Sequence, residues 1–269
     1  NENIADAVVP FDLELHGNNR ILVLSGPNAG GKSVAMKSVG LIQLMLQSGM
    51  LVPADENSKF GIFHKIFVDI GDQQSLEDDL STYSSHLKNM RVTTENADKS
   101  TLVLIDEFGS GTDPKIGGAI AEAVLNDLNH KKIHAVITTH YSNLKFYAFK
   151  AHNIVNGSME FDKHNLLPTF RMHIGKPGSS FAYEIAEKIG LDHRIVTYAQ
   201  HKTGKNEKAI DNMLITLMAE KKEYEDKLSS LIEKQDKLDR LMQSYETLIG
   251  HLKKKNKKIK LQAKEQAAS

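Results

Sequence analysis

The sequence predicts an α/β fold: a mostly parallel sheet flanked by helices, followed by a long C-terminal helix. Three observations carry that expectation. Residues 20–25 form an apolar run that ends in a glycine-rich turn, after which Val34, Met36, Val39, Leu41 and Leu44 pattern a helix. Residues 101–105 and 133–139 are continuous apolar runs, the signature of parallel strands buried on both faces. Between residues 210 and 259, apolar side chains recur at alternating spacings of three and four, as in a heptad helix.

Taken in order, residues 8–15 alternate in polarity after Pro10 and predict a strand, with a turn at His16-Gly17-Asn18-Asn19. The strand, glycine turn and helix at 20–48 follow. Residues 60–70 suggest one or two short strands. A polar stretch from Gly71 leads to Leu80-Ser81-Thr82-Tyr83, and from about Ser84 a helix is expected with Leu87, Met90 and Val92 as core positions. The run 101–105 ends in Asp106-Glu107, residues 109–114 are a loop, and residues 116–128 read as a helix. The run 133–139 ends at His140. Such alternation of strands and helices predicts a parallel sheet. Residues 153–155, 158–161 and 169–174 suggest an antiparallel addition, and 181–189 and 193–201 two short helices split at Gly190. Beyond Gly204 the heptad series runs from Ile210 to Ile259, with Lys221, Gln235 and Asn256 filling one and the same heptad position. A helix of that extent measures about 75 Å at about 1.5 Å per residue. The expected division is a core over 1–175, a helical region over 176–204 and the long helix over 205–269.

Composition narrows the function. The 269 residues carry no formal net charge, so no global field draws the chain to a polyanion, although a lysine cluster stands at 253–258. There is no cysteine, which excludes disulfides, thiolate metal sites and a cysteine nucleophile and fits a reducing, cytoplasmic setting. No apolar run reaches membrane-spanning length. The chain begins at Asn1 without a methionine, as expected of a fragment of a longer protein.

The chemistry starts at Gly26-Pro27-Asn28-Ala29-Gly30-Gly31-Lys32-Ser33, which has the spacing of a phosphate-binding loop. Its glycines let backbone N–H groups converge on phosphate oxygens, and the following helix adds its positive end. Lys32 can reach the β- and γ-phosphates of ATP, and the Ser33 hydroxyl can complete a Mg²⁺ shell. Asp106, ending a buried strand 74 residues after Lys32, is placed to hold Mg²⁺ directly or through water. Glu107 points differently and can orient or deprotonate the attacking water. His140 ends the next strand, where it can hydrogen-bond the γ-phosphate or the water. Ligands in parallel sheets gather beyond the C-terminal strand ends, so Lys32, Asp106 and His140 should meet there.

The phosphate loop, together with residues 106–114 (Asp-Glu-Phe-Gly-Ser-Gly-Thr-Asp-Pro) and Thr139-His140-Tyr141, resembles the ATPase domain of the MutS family over residues 8–203. Gly111-Thr112-Asp113-Pro114, Ile70-Gly71-Asp72-Gln73-Gln74-Ser75 and residues 80–86 are similar to its second bacterial branch. Ala29, Ser33 and Ile116 depart mildly from that branch's pattern and remove no catalytic group. The resemblance implies an ABC-like P-loop ATPase that works as a homodimer, with nucleotide between the subunits. Ser81, on its own only a plausible helix cap, would then reach the partner's γ-phosphate, and residues 109–114 would cross the same interface. The resemblance also implies a dimer-stabilising region around Gly178-Ser179-Ser180 and an adenine site against Val8, Val9 and Pro10, with His173. The clamp, lever and Smr domains of that branch are not in the sequence, and the implied targets are branched DNA or collided ribosomes. The lysine cluster reads first as a solvated helix tail and second as a phosphate-backbone contact.

Two other readings compete with this one. A coiled-coil ATPase of the SMC type would carry Leu-Ser-Gly-Gly where this chain has Leu80-Ser81-Thr82-Tyr83. A nucleotide-gated docking module with little turnover would not need Glu107.

Overall fold

A computed structural model describes residues 8–17, 19–27, 30–70, 79–162, 167–178 and 181–266; the side chains of 79–82, of most residues between 203 and 225 and of 257–266 fall outside that description. Six strands form one sheet: β1 (Asn19–Ser25), β2 (Lys65–Asp69), β3 (Thr101–Ile105), β4 (His134–Thr138), β5 (Asn153–Asp162) and β6 (Leu167–Ile174). Their order is β2-β3-β4-β1-β5-β6. All neighbours run parallel except β5 and β6. The helices are α1 (Lys32–Gln47), α2 (Asp79–Asn96), α3 (Pro114–His130), α4 (Ser142–Lys150), α5 (Ala182–Ile189) and α6 (His193–Gln266).

The period-two alternation of a strand sorts the central side chains onto two faces. Ile21, Val23, Val103, Ile105, Ala135 and Ile137 pack with Leu125 and Leu128 of α3 and Leu144 of α4. Leu22, Leu102, Leu104 and Val136 pack with Met36 of α1. Helices therefore cover both faces, and the strands between them read as uninterrupted apolar runs. Gly40 of α1 lies where a Cβ would come within 2.5 Å of Leu104 Cδ1, so α1 packs closer than an alanine would permit. The start of α3 is written locally: Asp113 caps it by accepting from Lys115 N (2.9 Å) and Ile116 N (3.2 Å), with Pro114 in the first turn.

Several expectations are corrected. Residues 8–15 form no strand, although their burial alternates and Phe11, Leu13 and Leu15 pack against the core. The side-chain period is kept without ladder hydrogen bonds, and Pro10 has no N–H to offer one. The segment after residue 153 is not wholly antiparallel: β5 is one strand, parallel to β1, and only β6 turns back. Helix α2 begins at Asp79 rather than near Ser84, and its Val92 is exposed while Met90 is buried. The supposed short helix at 193–201 is the beginning of α6, which runs on through Gly204. Helix α4 adds to the elements that the sequence predicts.

By internal contacts the chain divides into Asn1–Met218 and Ala219–Ser269. The second unit is the later course of α6. Its heptad members Tyr224, Leu228, Leu231, Leu238, Met242, Tyr245, Ile249 and Leu252 are all exposed.

Candidate active site

Strand β1 delivers the chain to Gly26, and α1 starts six residues later. Gly26 (φ 132°) and Gly31 (φ 87°) hold backbone conformations that glycine adopts without a Cβ penalty. Gly30 N donates to Pro27 O (3.0 Å) and closes the turn. Gly31 caps α1 without a side-chain hydrogen bond, and the positive end of that helix favours an anion there. Lys32 is buried, its Nζ donating to Gly26 O (2.8 Å) and Pro27 O (2.9 Å). Burial lowers its pKa to about 8, with the charges of Asp106 and Glu107 opposing that shift. Ser33 is partly exposed in the first turn of α1. Asn28 and Ala29 lie outside the described residues.

The loop is braced from behind. Gly178 N donates to Ser25 Oγ (2.7 Å), which in turn donates to Gly157 O (3.3 Å). A Cβ on Gly178 would stand 2.6 Å from Ser25 O and 2.7 Å from Gly26 Cα, so this approach requires glycine. Lys145 of α4, buried, donates to Gly178 O (3.2 Å) and places a second cation near the loop.

At the end of β3, Asp106 is buried and accepts a hydrogen bond from the Thr138 hydroxyl. That hydroxyl also accepts from Glu107 N (2.8 Å), and Phe108 N donates to Thr138 O (2.8 Å). Glu107 is exposed and holds a left-handed conformation (φ 48°). Such a conformation costs a β-carbon-bearing residue roughly 1–2 kcal/mol. Full burial of the neighbouring Phe108, which contributes about 2 kcal/mol, offsets that cost and pins the carboxylate's base. Strain held in place by a buried neighbour is a mark of functional positions.

Thr139 N donates to Leu24 O (3.1 Å), which ties the end of β4 to the end of β1. His140 follows, exposed at the mouth of the site. Partial burial of its ring, and then the charges of Lys32 and Lys145, lower its pKa, while Asp106 opposes. His140 thus lies within electrostatic reach of Lys32 and Asp106 at one end of the sheet, in surroundings that favour the neutral imidazole. The donors fit Mg²⁺. Ser33 and Asp106 offer hard oxygens, the donor class that magnesium takes. Magnesium is usually held by one or two carboxylates plus phosphate oxygens and water.

Beside the loop, Val8, Val9, Pro10 and His173 line one cavity of about 1100 Å³, together with Phe11 and Arg171. Phe11 and Met172 of its wall pack on Met159, Leu24 and Ala35, next to the phosphate loop. The residues assigned to adenine are therefore brought together, and the cavity is of a size to take a purine. Ser81 lies in the first turn of α2, with its side chain outside the described residues, as do the Gly71–Asp78 stretch, Ser179 and Ser180. Sequence reasoning missed Thr138, Lys145 and Gly178 as supports. Thr138 precedes His140 visibly, but nothing in the pattern of α4 singles out Lys145.

The family model for MutS domain V matches residues 22–207. The chain belongs to the MutS family. Its domain V carries the glycine loop, the acidic strand end and His140 within the matched span. The chain is 40% identical over 259 residues to an Endonuclease MutS2 of Halothermothrix orenii, covering 96% of this chain and 33% of that protein. The counterpart from Finegoldia magna is 43% identical over 246 residues (91% and 31%) and that from Lactobacillus helveticus 44% over 209 (78% and 27%). The chain thus spans about a third of the length of the curated relatives it matches. Among the described residues no helix is long and apolar enough to cross a membrane.

Proposed function

We propose that this MutS-family ATPase domain hydrolyses ATP with Mg²⁺ as one half of a homodimeric, clamp-driving motor. The observation that carries the reading is the convergence of Lys32, Asp106, Glu107 and His140 on one end of the sheet. In this reading, Lys32 leaves the carbonyls of Gly26 and Pro27 to neutralise the β- and γ-phosphates. Loop N–H groups and the start of α1 hold the remaining oxygens. Ser33 and Asp106 hold Mg²⁺, which when bound neutralises charge on the phosphoryl oxygens. Glu107 orients the attacking water and accepts its proton; neutral His140 hydrogen-bonds the water or the γ-phosphate. Val9, Pro10 and His173 receive the base.

The second subunit supplies Ser81 at the γ-phosphate, so turnover requires closure of two copies. The relatives' name, Endonuclease MutS2, favours branched DNA over collided ribosomes as the target of the whole protein. The intact Glu107 speaks against a docking module with little turnover, and membership of the MutS family against an SMC-type ATPase.

The test is steady-state and single-turnover hydrolysis by the wild type and Glu107→Gln, alongside binding of a fluorescent ATP analogue. Glu107→Gln is expected to keep nucleotide affinity within about threefold and to lose about 10²- to 10⁴-fold in kcat, the range of a general base. Equal turnover in the two proteins would remove Glu107 from the chemistry.

A further inference from the structure

The face of α2 turned toward β2 carries a histidine–carboxylate contact that the roles above do not use. His86 Nδ1 lies 2.9 Å from Asp69 Oδ2, and both side chains are only 12% exposed. Asn89, three residues on and so on the same helical face, donates to the other oxygen, Asp69 Oδ1, at 3.0 Å. Both carboxylate oxygens of Asp69 are thereby engaged by α2. The main chain of Asp69 is engaged elsewhere: its carbonyl accepts from Asp106 N at 2.8 Å, one residue past its register partner Ile105. Asp69 therefore connects α2 through its side chain to the acidic end of β3 through its backbone.

The charge arrangement points the same way. The hydrogen bond to Asp69 raises the pKa of His86 against partial burial, and the charges of Asp69 and then Glu107 add to the rise. An imidazolium is thus favoured within electrostatic reach of the Glu107 carboxylate. A largely buried ion pair is poor value as a stabiliser, because desolvation of both charges offsets their attraction. It does constrain geometry, since His86 and Asn89 of α2 each engage a different oxygen of the one carboxylate. Strand β2 is the sheet edge, separated from β1 and the phosphate loop by β3 and β4. A role there is not one of contact with the nucleotide held on the same subunit's phosphate loop.

We propose that His86, through its hydrogen bond with Asp69, is a positioning residue for hydrolysis that locks α2 to the Asp106–Glu107 strand end. The inference rests on the assignment of Glu107 to the attacking water. The first turn of α2 carries Ser81, five residues before His86, so the same lock couples the element that reaches the partner to the strand end that carries the base.

The experiment measures kcat, KM for ATP and fluorescent-ATP affinity for the wild type, His86→Ala, Glu107→Gln and the double variant, with urea stability in parallel. His86→Ala is expected to lower kcat at least tenfold, with KM and nucleotide affinity within about twofold. In the Glu107→Gln background it should add less than twofold, because the group it positions is already gone. His86→Gln, which keeps a donor without the charge, should recover part of the loss. Should His86→Ala fail to fold, Asp69→Asn, which keeps the shape and removes the charge, carries the same expectations. Unchanged kcat overturns the proposal, as does a loss that multiplies fully with Glu107→Gln while KM rises in step. A wild type without ATP turnover overturns the hydrolytic assignment and this inference together; turnover that survives His86→Ala overturns the inference alone.

Discussion

Lys32→Met isolates what the nucleotide site costs the fold. The amine of Lys32 titrates at about 8 instead of 10.5, because its burial outweighs the attraction of Asp106 and Glu107. A gap of about 2.5 pH units corresponds to about 3 kcal/mol at about 1.4 kcal/mol per unit. Its sign follows from proton counting. Between pH 8 and 10.5 the unfolded chain still binds the proton that the folded chain has released, so stability rises with pH across that window. Below pH 8 both states are protonated and this contribution is flat, with the full penalty present. Methionine keeps the length and removes the charge, so the variant should lose the slope. At pH 7 it regains about 3 kcal/mol but strands the carbonyls of Gly26 and Pro27, at about 1 kcal/mol each. The net expectation is a nucleotide-free protein about 1 kcal/mol more stable than the wild type and at least 100-fold weaker for ATP. Urea unfolding from pH 7 to 10.5 and titration with a fluorescent ATP analogue measure both. Parallel pH profiles for the two proteins would refute the reasoning, since other titrating groups are common to both.

Two further expectations concern the loop and the second unit. Gly178→Ala places a methyl group 2.6 Å from the Ser25 carbonyl oxygen, against backbone that must move. Nucleotide affinity should fall at least tenfold and stability by about 1–3 kcal/mol; affinity and melting temperature equal to the wild type would show that the brace does not set the loop. In α6, Lys221, Gln235 and Asn256 share one heptad position, while Tyr224, Leu231, Leu238, Tyr245 and Leu252 fill the other. A parallel, in-register pair stacks polar on polar and apolar on apolar, whereas an antiparallel pair sets each polar residue against an apolar one. Leu238→Cys, in a chain without cysteine, should therefore oxidise to a disulfide-linked dimer, read on a non-reducing gel; a monomer at concentrations where the protein is dimeric would exclude that register.

Sequence alone determined whatever depends on local pattern. The spacing from Gly26 to Ser33 dictates a phosphate loop because only glycines tolerate its backbone. The apolar runs of β3 and β4 dictate buried parallel strands because both faces are covered. Asp106 and His140 are marked because each ends such a run. Tertiary structure decided whatever depends on which strand neighbours which. Residues 8–15 carry the alternation of a strand and still form none, since side-chain period says nothing about whether a ladder partner is offered. Strand β5 runs parallel to β1 because of its place in the sheet, which a short apolar run does not encode. The brace of Lys145 and Gly178 on the phosphate loop, and the hydrogen bond of His86 with Asp69, join residues 33 and 17 positions apart. Their partners become legible only once the chain has been folded back on itself.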